Sequence, residues 1–429
     1  MLQVTPIKPG NKQAFVLRRR FELLGALVVA ALVPWAGLRW LITDTTFDIA
    51  AFHNSLIANA LAILMALWIR ISVSTYPGIR GGQLILPAVV AAHATMIMLL
   101  LLSRLPYHRP SLAAGFALHL LWAYGIYFFV QRRVRPCIAI VPFGTTDKLT
   151  TIDNVEWHRL HRPVLADADA CGAIVADFSA DLPDEWEAFL ADAAIDGRVV
   201  YQVQQLYESL TGRVEIHHLS ENSFGSLAPA RAYMAVKHFA DFLLALALLP
   251  LALPVMAGCA LAIRVGDGAP VLFRQKRIGR AGREFTVTKF RTMRLAGRLD
   301  PDNREAAMTG DGDVRITRLG AFLRRNRLDE LPQLWNILKG EMSFIGPRPE
   351  AHVLSSWYTS EIPFYRYRHV VRPGISGWAQ VNQGHVAEVD EVHLKLQYDF
   401  FYIKYFSPWL DLLILFRTIK TVLTGWGAR

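Results

Sequence analysis

Four apolar runs, each long enough to cross a lipid bilayer as a helix, occupy the first third of this 429-residue chain. They cover about residues 21–42, 51–71, 83–102 and 111–130, and a bilayer core requires roughly 20 apolar residues of a helix. Mean hydropathy is +0.26 and only 19% of the residues are charged, which is more apolar than is usual for a water-soluble protein. The runs predict a membrane protein with a four-helix transmembrane module at residues 1–135.

Arginines lie where the chain would enter and leave this module. Three arginines at residues 18–20 precede the first run, and three more within 132–135 follow the fourth. Because cytoplasmic loops of membrane proteins are enriched in Lys and Arg, this pattern places the N-terminus and everything after residue 131 in the cytoplasm. Arg104 and Arg109, in the loop before the fourth run, oppose this orientation but are outnumbered.

The net charge of +10 is unevenly distributed along the chain. Residues 1–135 carry 13 basic and 3 acidic side chains, residues 136–230 carry 5 and 15, and residues 231–429 carry 28 and 18. The basic excess therefore coincides with the apolar regions, which indicates membrane lipids and phosphate groups as its partners. Basic residues are not interleaved with aromatic residues in a stripe, so we expect no nucleic acid partner.

Residues 136–230 predict a small soluble α/β domain, a degenerate relative of the Rossmann-like nucleotide fold. CIAIVPF, GAIVADF and RVVYQV are typical of buried parallel strands, and DEWEAFLADAAIDG of a helix closed by Gly197. The loop after the first strand, PFGTTD, lacks G-x-G-x-x-G, so a relic or an interaction module is favoured over a working cofactor site. As an interaction module, this acidic domain would support a homo-oligomer.

Cysteine and histidine usage gives no positive signal for a disulfide or a metal site. Only Cys137, Cys171 and Cys259 are present, without a C-x-x-C pair, so we expect no disulfide framework and no thiolate metal site. The pairs His158/His161 and His217/His218 lack a third ligand at a suitable spacing. We expect them to be surface or partly buried histidines.

A further apolar stretch, from His238 to Ile263, can be interpreted in two ways. Its 26 residues suffice for a fifth crossing. Pro250 and Pro254 lie within it, however, and each removes a helical hydrogen bond and favours a kink. Basic residues lie on both sides, which would place both flanks in the cytoplasm. We therefore predict a helix-break-helix that enters one leaflet and returns, with the proline break deepest.

The region after this stretch carries the chemistry. Residues 264–300 hold 10 basic and 3 acidic side chains, a density suited to lipid head groups or to phosphate. Further on, the adjacent carboxylates Asp329 and Glu330 follow several arginines and precede Pro332. Neighbouring residues of a helix point about 100° apart, so one acid could bind a divalent ion or attack phosphorus while the other adjusts the site. The alternative is an ordinary first helical turn, where the helix dipole favours carboxylates.

From about residue 231 to 429 the chain resembles the bacterial sugar transferases, the monotopic polyprenyl-phosphate phosphoglycosyl transferases. The resemblance rests on Lys237 and Asp241 ahead of a proline-broken helix. It rests further on APVLFRQKRIGRAGREF, KFRTM, RITRLGAFLR, LDELPQLWNILKGEMSFIGPRPE and PGISGWAQV, in that order. The implied fold is a mainly helical monotopic catalytic domain with a re-entrant helix at about 238–263 and interfacial helices. With the membrane module in front, the chain resembles the large form that initiates exopolysaccharide or O-antigen synthesis.

The resemblance implies transfer of a hexose 1-phosphate from a UDP-sugar to undecaprenyl phosphate, with release of UMP, at the cytoplasmic face of the bacterial inner membrane. It implies Asp329 as the nucleophile of a covalent phosphosugar intermediate, Glu330 as its partner, Mg²⁺ bound at Asp329, and UDP-glucose or UDP-galactose as donor. Pro254 matches the proline that breaks the re-entrant helix, and Pro250 lies close by. The phosphate-binding candidates are basic residues of the same motifs: Arg324, Arg348, Arg318, Lys289 and Arg291.

Several alternatives stay open. The aromatic tail at residues 400–427 is either an interfacial helix or a short final span, and PGISGWAQVNQG around Trp378 either contacts the donor or forms a structural turn. A membrane-bound nucleotide-sugar dehydratase or epimerase is a rival enzyme class, although neither G-x-G-x-x-G nor a well-placed Tyr-x-x-x-Lys supports it. A non-enzymatic lipid-binding scaffold is the third possibility.

Overall fold

The chain divides into two compact units, residues 1–212 and residues 213–429. The computed structural model describes residues 19–41, 49–73, 81–129, 137–153, 155–215, 229, 231–294, 315–383 and 389–424. His217 and His218 lie outside these residues.

The first unit begins with apolar helices at the positions of the four predicted runs. Within the described residues, each of these four helical segments is long and apolar enough to cross a membrane. In the first segment, two α-helices are joined by π-helical residues Leu27–Leu32. The helices are α1 (Arg19–Ala26), α2 (Val33–Leu41), α3 (Ile49–Val73), α4 (Ile85–Leu102) and α5 (Arg109–Phe129).

Small and polar side chains fill the interior of this helical module. Buried alanines such as Ala62 and Ala92 lie in one cluster with residues of α4 and α5, which lets the helix backbones approach closely. The rings of His93 and His119 are buried and lie 3.2 Å apart between nitrogen atoms. Asn59 donates a hydrogen bond to the carbonyl of Ser111. These contacts satisfy some of the polar groups inside the module, as an apolar surrounding requires, although Oδ1 of Asn59 accepts no hydrogen bond from the described residues.

A four-stranded parallel sheet follows, with strand order β2-β1-β3-β4. The three predicted strands and the predicted helix are confirmed, whereas β2 was missed because three of its four residues are exposed and give no buried pattern. Successive residues of β1 face opposite sides of the sheet and enter two separate cores. The elements are β1 (Cys137–Ile140), β2 (Glu156–Arg159), β3 (Ala173–Ala176), α6 (Asp184–Ile195), β4 (Val199–Gln202) and α7 (Val203–Thr211).

The expectation of no disulfide is wrong, because Cys137 and Cys171 are joined. Cys137 opens β1, and Cys171 lies two residues before β3, which pairs in parallel with β1. Parallel neighbours bring the beginnings of both strands to one edge, so the two Cα atoms lie 4.6 Å apart despite a separation of 34 residues. Sequence spacing alone does not reveal this proximity.

The loop after β1 is closed by a carboxylate of the same domain. Asp177, which is 3% exposed and follows β3, accepts hydrogen bonds from the backbone N–H and the hydroxyl of Thr145, at 2.9 and 2.8 Å. Burial alone would raise the pKa of Asp177, but hydrogen bonds from Ser179 and Thr145 lower it to about 2. Gly144 has φ +72°, and a Cβ there would lie 2.4 Å from the carboxylate. Because ligands of such sheets bind at the carboxyl ends of adjacent strands, this arrangement favours a relic over a working cofactor site.

The second unit combines a long apolar helix with short strands and helices. Its first elements are α8 (Arg231–Gly266), β5 (Leu272–Ile278), β6 (Glu284–Phe290), α9 (Arg318–Arg325), a 3₁₀ helix (Leu328–Gln333) and α10 (Leu334–Leu338). Then come β7 (Ser343–Ile345), α11 (His352–Glu361), a 3₁₀ helix (Tyr365–Val370), β8 (Gly374–Ser376), α12 (Trp378–Gln383), α13 (Val389–Lys404) and α14 (Pro408–Thr424).

Helix α8 is continuous, so the predicted division into two helices is wrong. Pro250 and Pro254 both lie inside it, and every residue from 231 to 266 is helical. Each proline lacks one backbone donor and favours a kink, but its fixed φ of about −65° is itself compatible with a helix. The helix is among those long and apolar enough to cross a membrane.

Both halves of α8 nevertheless pack against the same strand, β6. Ala245 lies in a buried cluster with Val287 of β6, and Ile263 lies in a second cluster with Phe290 of the same strand. A straight helix of this length would extend about 54 Å, well beyond a bilayer core of about 30 Å. Both halves of α8 therefore contact the same strand, whereas the re-entrant arrangement stays a prediction.

We predict that cysteines placed near each end of α8 react only from the cytoplasm. Val236→Cys and Arg264→Cys introduce exposed thiols on the two flanks. A membrane-impermeant maleimide should label both variants in permeabilised cells and neither in intact spheroplasts. Leu105→Cys, in the predicted outer loop, is the control and should react in intact spheroplasts. Labelling of Arg264→Cys from outside would contradict the re-entrant arrangement.

Candidate active site

The Asp329–Glu330 dyad lies in a short 3₁₀ turn between two basic elements. Arg327, with φ 56°, reverses the chain after α9 and begins this turn. The antiparallel hairpin β5–β6 packs beside it and presents Lys289 near the end of β6. Asn336 fixes the neighbouring helix α10 to β6 by donating to the carbonyl of Thr286, at 2.7 Å. The dyad lies in the first turn of a helical segment, as the alternative interpretation predicted, but both carboxylates are buried.

Three cations converge on one oxygen atom of Glu330. The ammonium of Lys289 lies 2.9 Å from Glu330 Oε1, the guanidinium of Arg348 lies 3.1 Å from it, and that of Arg327 lies 3.9 Å from it. Glu330 is only 6% exposed, so these charges replace the water that the carboxylate loses on burial. A buried carboxylate requires such compensation.

The same contacts set the ionisation of the cluster. Burial alone would raise the pKa of Glu330, but the charges of Lys289, Arg348 and Arg327 outweigh burial and lower it. Burial lowers the pKa of Lys289 to about 8, although Glu330 partly opposes this shift. Glu330 is therefore ionised at neutral pH, and Lys289 loses its proton at mildly alkaline pH.

Asp329 has the opposite environment. Burial and the charge of Glu330 raise its pKa, and Lys289, Arg348 and Arg324 only partly offset these effects. Among the residues that the structure describes, no donor reaches the buried Oδ1 of Asp329. One acid is thus held by cations, whereas the other is less stabilised as an anion and keeps an oxygen free. A carboxylate oxygen of this kind is suited to attack an electrophile or to bind a cation.

Arg348 is held in place by a turn whose backbone is itself bound. It lies in Gly346-Pro347-Arg348-Pro349 directly after β7, and Arg368 donates to its carbonyl at 2.9 Å. Arg277 donates to the carbonyl of Pro349. A Cβ on Gly374 would lie 2.1 Å from the backbone nitrogen of Gly346, so the close approach of β8 to this turn requires glycine.

Comparison with known proteins gives relatives for the whole chain. Residues 232–425 match the family model described as bacterial sugar transferase. The UDP-N-acetylgalactosamine-undecaprenyl-phosphate N-acetylgalactosaminephosphotransferase of Aeromonas hydrophila is 42% identical over 405 residues, which cover 94% of this chain and 93% of that protein. The chain belongs to the bacterial sugar transferase family. It is therefore an enzyme, and the dehydratase and scaffold alternatives find no support.

Other relatives align with less than half of this sugar transferase. The UDP-glucose:undecaprenyl-phosphate glucose-1-phosphate transferase of Xanthomonas campestris pv. campestris is 42% identical over 193 residues, 44% of this chain and 39% of that protein. The Escherichia coli (strain K12) protein of the same name is 39% identical over 186 residues, 43% of this chain and 39% of that protein. The alignments cover about two fifths of these relatives' own length.

The predicted phosphate-binding residues of the transferase fall into two groups. Arg348 and Lys289 contact Glu330, and Arg324 lies close enough to influence Asp329 while it donates to the hydroxyl of Thr292 at 2.9 Å. Arg318 is instead exposed at the start of α9, and no ion pair joins it to the dyad within the described residues.

Arg291, also predicted to bind phosphate, makes its hydrogen bonds away from the dyad. Its guanidinium donates to the carbonyls of Asp267, Gly268 and Ala269, at 2.7, 2.9 and 3.0 Å. These carbonyls form the turn that follows α8. Arg291 is 6% exposed, and its bonds hold the exit of the long helix against β6 instead of reaching the dyad.

Sequence reasoning gave no role to a second group of buried charges behind Arg348. Arg368 contacts Asp399 at 2.8 Å and Glu350 at 3.7 Å, and Lys395 also pairs with Glu350. Burial would raise the pKa of Glu350, but Lys395 and Arg368 lower it. A signal was available, because Glu350 ends the quoted SFIGPRPE motif and Asp399 stands in an aromatic stretch where an isolated acid requires a partner.

The carboxylate oxygens of Asp329 are suitable ligands for a divalent metal ion such as Mg²⁺. Mg²⁺ usually binds through one or two carboxylates, with water and substrate phosphates as its other ligands. The Asp329 carboxylate meets that requirement, whereas Glu330 is already bound by cations. No group of three or more His, Cys, Asp or Glu side chains suited to a metal occurs in the described parts of the chain, so substrate oxygens would have to complete the site.

The two remaining sequence alternatives concern Trp378 and the tail. Trp378 is 1% exposed and stacks on Phe401, with the guanidinium of Arg417 over its ring, as expected for a structural turn. Helix α14 buries Leu410 and Ile414 and exposes Leu415 and Ile419. An apolar face opposite the packed face favours the interfacial position of this helix over a final span.

We predict that the two acids differ in their effect on stability. Glu330→Gln leaves three cations without a counter-charge and should lower the free energy of unfolding by about 3–5 kcal/mol. Asp329→Asn removes a carboxylate whose raised pKa marks its burial as unfavourable, and should change that free energy by less than about 1 kcal/mol. Thermal unfolding of the purified full-length variants tests this contrast, and equal losses would contradict the assignment of charges.

Proposed function

We propose that this transferase moves a hexose 1-phosphate from a UDP-sugar to undecaprenyl phosphate, giving undecaprenyl-diphosphate-sugar and UMP, as the first membrane step of surface polysaccharide synthesis. The single observation that carries the proposal is the buried, unpartnered Oδ1 of Asp329 beside an ionised Glu330 that is paired with cations. The curated relatives support the substrates, since their names join a UDP-sugar to undecaprenyl phosphate.

The reaction proceeds in two displacements at one phosphorus atom. In the first, Asp329 Oδ1 attacks the phosphorus next to the sugar, the bond to the bridging oxygen breaks, and UMP leaves with that oxygen. In the second, an oxygen of undecaprenyl phosphate attacks the same phosphorus, and the bond to Asp329 breaks to restore the carboxylate. A covalent intermediate divides one difficult transfer between two polyanions into two simpler steps.

The basic residues around the dyad support this chemistry electrostatically. Arg348, Lys289 and Arg324 surround the point at which a phosphoryl group would react. Preorganised cations in a buried site stabilise the charge that develops on the transferred group. Glu330 holds two of these cations in place by direct contact, so we assign it a positioning role.

We propose Asp329 as the protein ligand of Mg²⁺, with the diphosphate of the donor completing the coordination. When bound, the ion would supply positive charge to the phosphate oxygens. The protein's own contribution is the second carboxylate oxygen of Asp329, because Oδ1 is the atom that attacks phosphorus.

The membrane position follows from the apolar elements. We place the four N-terminal helices across the bacterial inner membrane and the catalytic unit on its cytoplasmic face, anchored by re-entrant α8 and interfacial α14. The acceptor's lipid tail confines its phosphate to that interface, so an anchored active site meets it at high effective concentration.

We assign the donor sugar through a relative that aligns with most of the chain. That relative is named for UDP-N-acetylgalactosamine, whereas two relatives named for UDP-glucose align with less than half of the chain. We therefore propose UDP-N-acetylgalactosamine ahead of the UDP-glucose or UDP-galactose expected from sequence alone.

We predict that Asp329→Asn abolishes transfer. An amide cannot attack phosphorus, so UMP release should fall by at least about 10³-fold. With UDP-sugars labelled in the hexose, wild-type protein should become labelled without acceptor and the variant should not. Glu361→Gln, an exposed acid of α11, is the control and should retain both signals. Full turnover by Asp329→Asn would exclude the mechanism, and comparison of UDP-N-acetylgalactosamine, UDP-glucose and UDP-galactose in this assay identifies the donor.

We also predict an alkaline limit to activity that depends on Lys289. Because its pKa is lowered to about 8, Lys289 becomes neutral above that pH, and Glu330 loses its closest cation. Activity should therefore fall with a midpoint near pH 8. Lys289→Arg keeps its charge throughout this range and should move the fall to higher pH, while the exposed Lys276→Arg should not. An unchanged midpoint in Lys289→Arg would contradict this role.

A further inference from the structure

A cavity of about 460 Å³ lies between the proline region of α8, the 3₁₀ turn of the dyad and the last helix, α14. This volume falls within the range of about 300–1,000 Å³ typical of small-ligand sites. One wall is formed by α8 around its prolines, with Leu251, Ala252 and Val255. Thr418 and Thr421 of α14 form the opposite wall.

The cavity is apolar along most of its surface and charged at one end. Leu331, Leu334 and Phe344 continue the apolar lining from α8 toward the dyad, where Glu330, Arg325 and Arg327 also line it. Arg325 is exposed, and none of the described carboxylates forms an ion pair with it. The cavity therefore connects an apolar surface of α8 to a cationic edge of the active site.

We infer that this cavity binds the isoprene units next to the phosphate of the polyprenyl acceptor, with that phosphate directed toward Arg325 and Arg327. This inference rests on the proposed function and adds a location and a basis of specificity to it. An apolar chain that ends in an anion matches a lining that is apolar on α8 and cationic at the dyad. A UDP-sugar is polar throughout and does not match such walls.

The cavity would make the enzyme select the lipid as well as its phosphate. Because walls from α8 and α14 enclose the chain, a branched polyprenyl group fills the space better than an unbranched alkyl chain. The first units of the chain are thus bound by protein, and the remaining units stay in the lipid.

The test is to fill the cavity from either wall. Ala252→Phe extends a half-buried side chain of α8 into it, and Thr421→Phe does so from α14, so the test survives if one variant does not fold. Ala247→Phe is the matched control, because Ala247 is exposed on the same helix and does not line the cavity. Full-length protein in nanodiscs is measured for binding of undecaprenyl phosphate alone and for labelling by the UDP-sugar without acceptor.

Filling should weaken binding of undecaprenyl phosphate at least tenfold and reduce the wild-type preference for it over dodecyl phosphate, while Ala247→Phe behaves as wild type. Unchanged binding in both filled variants would overturn the inference. Equal weakening by Ala247→Phe would also overturn it, because the effect would then arise from the membrane position of α8. The binding assay contains no UDP-sugar, so it tests the cavity independently of the proposed function. If no UDP-sugar labelled the wild-type protein, the proposed function would be contradicted, and the binding result alone would test the role of the cavity.

Discussion

The convergence of three cations on one buried oxygen of Glu330 is the interaction on which the catalytic unit depends. It brings together β6 through Lys289, the chain reversal at Arg327, and the turn after β7 through Arg348. None of these segments is adjacent to the others in sequence, so the ion cluster fixes their mutual positions. It also concentrates positive charge beside Asp329, whose own carboxylate receives less of it. In the proposed mechanism, structural and chemical roles are therefore divided between two consecutive acids.

This division explains how a carboxylate can remain reactive inside a dense group of arginines. An acid that accepted several charge-assisted hydrogen bonds would be a poor nucleophile, because its lone pairs would be engaged. Glu330 accepts these bonds, and Asp329 Oδ1 accepts none from the described residues. The long helix α8 adds an apolar boundary on the other side of the dyad, where it lines the cavity with Leu251 and Ala252. In the mechanism that we propose, water-soluble and lipid-soluble substrates approach Asp329 from different directions.

The sequence predicted the elements that have a strong local pattern. The four apolar runs, three strands of the small sheet and the first-turn position of the dyad follow from hydropathy, alternation and the chemistry of adjacent acids. The failures involve long-range contact. The strand Glu156–Arg159 is exposed, and the Cys137–Cys171 link depends on which strands are neighbours. The position of Arg291 depends on carbonyls in a turn more than twenty residues earlier in the chain.

The ion pair between Lys237 and Asp411, at 2.8 Å, also has a consequence for the order of folding. Lys237 is 7% exposed at the beginning of α8, and its closest carboxylate lies near the end of the chain. A ribosome adding about 5–20 residues per second needs roughly ten to thirty seconds to reach that carboxylate. During this interval the ammonium must remain hydrated or rely on Asp241, 3.7 Å away in the finished protein. The pair can form only after α14 has been synthesised, so the beginning of the long helix gains its closest counter-charge late.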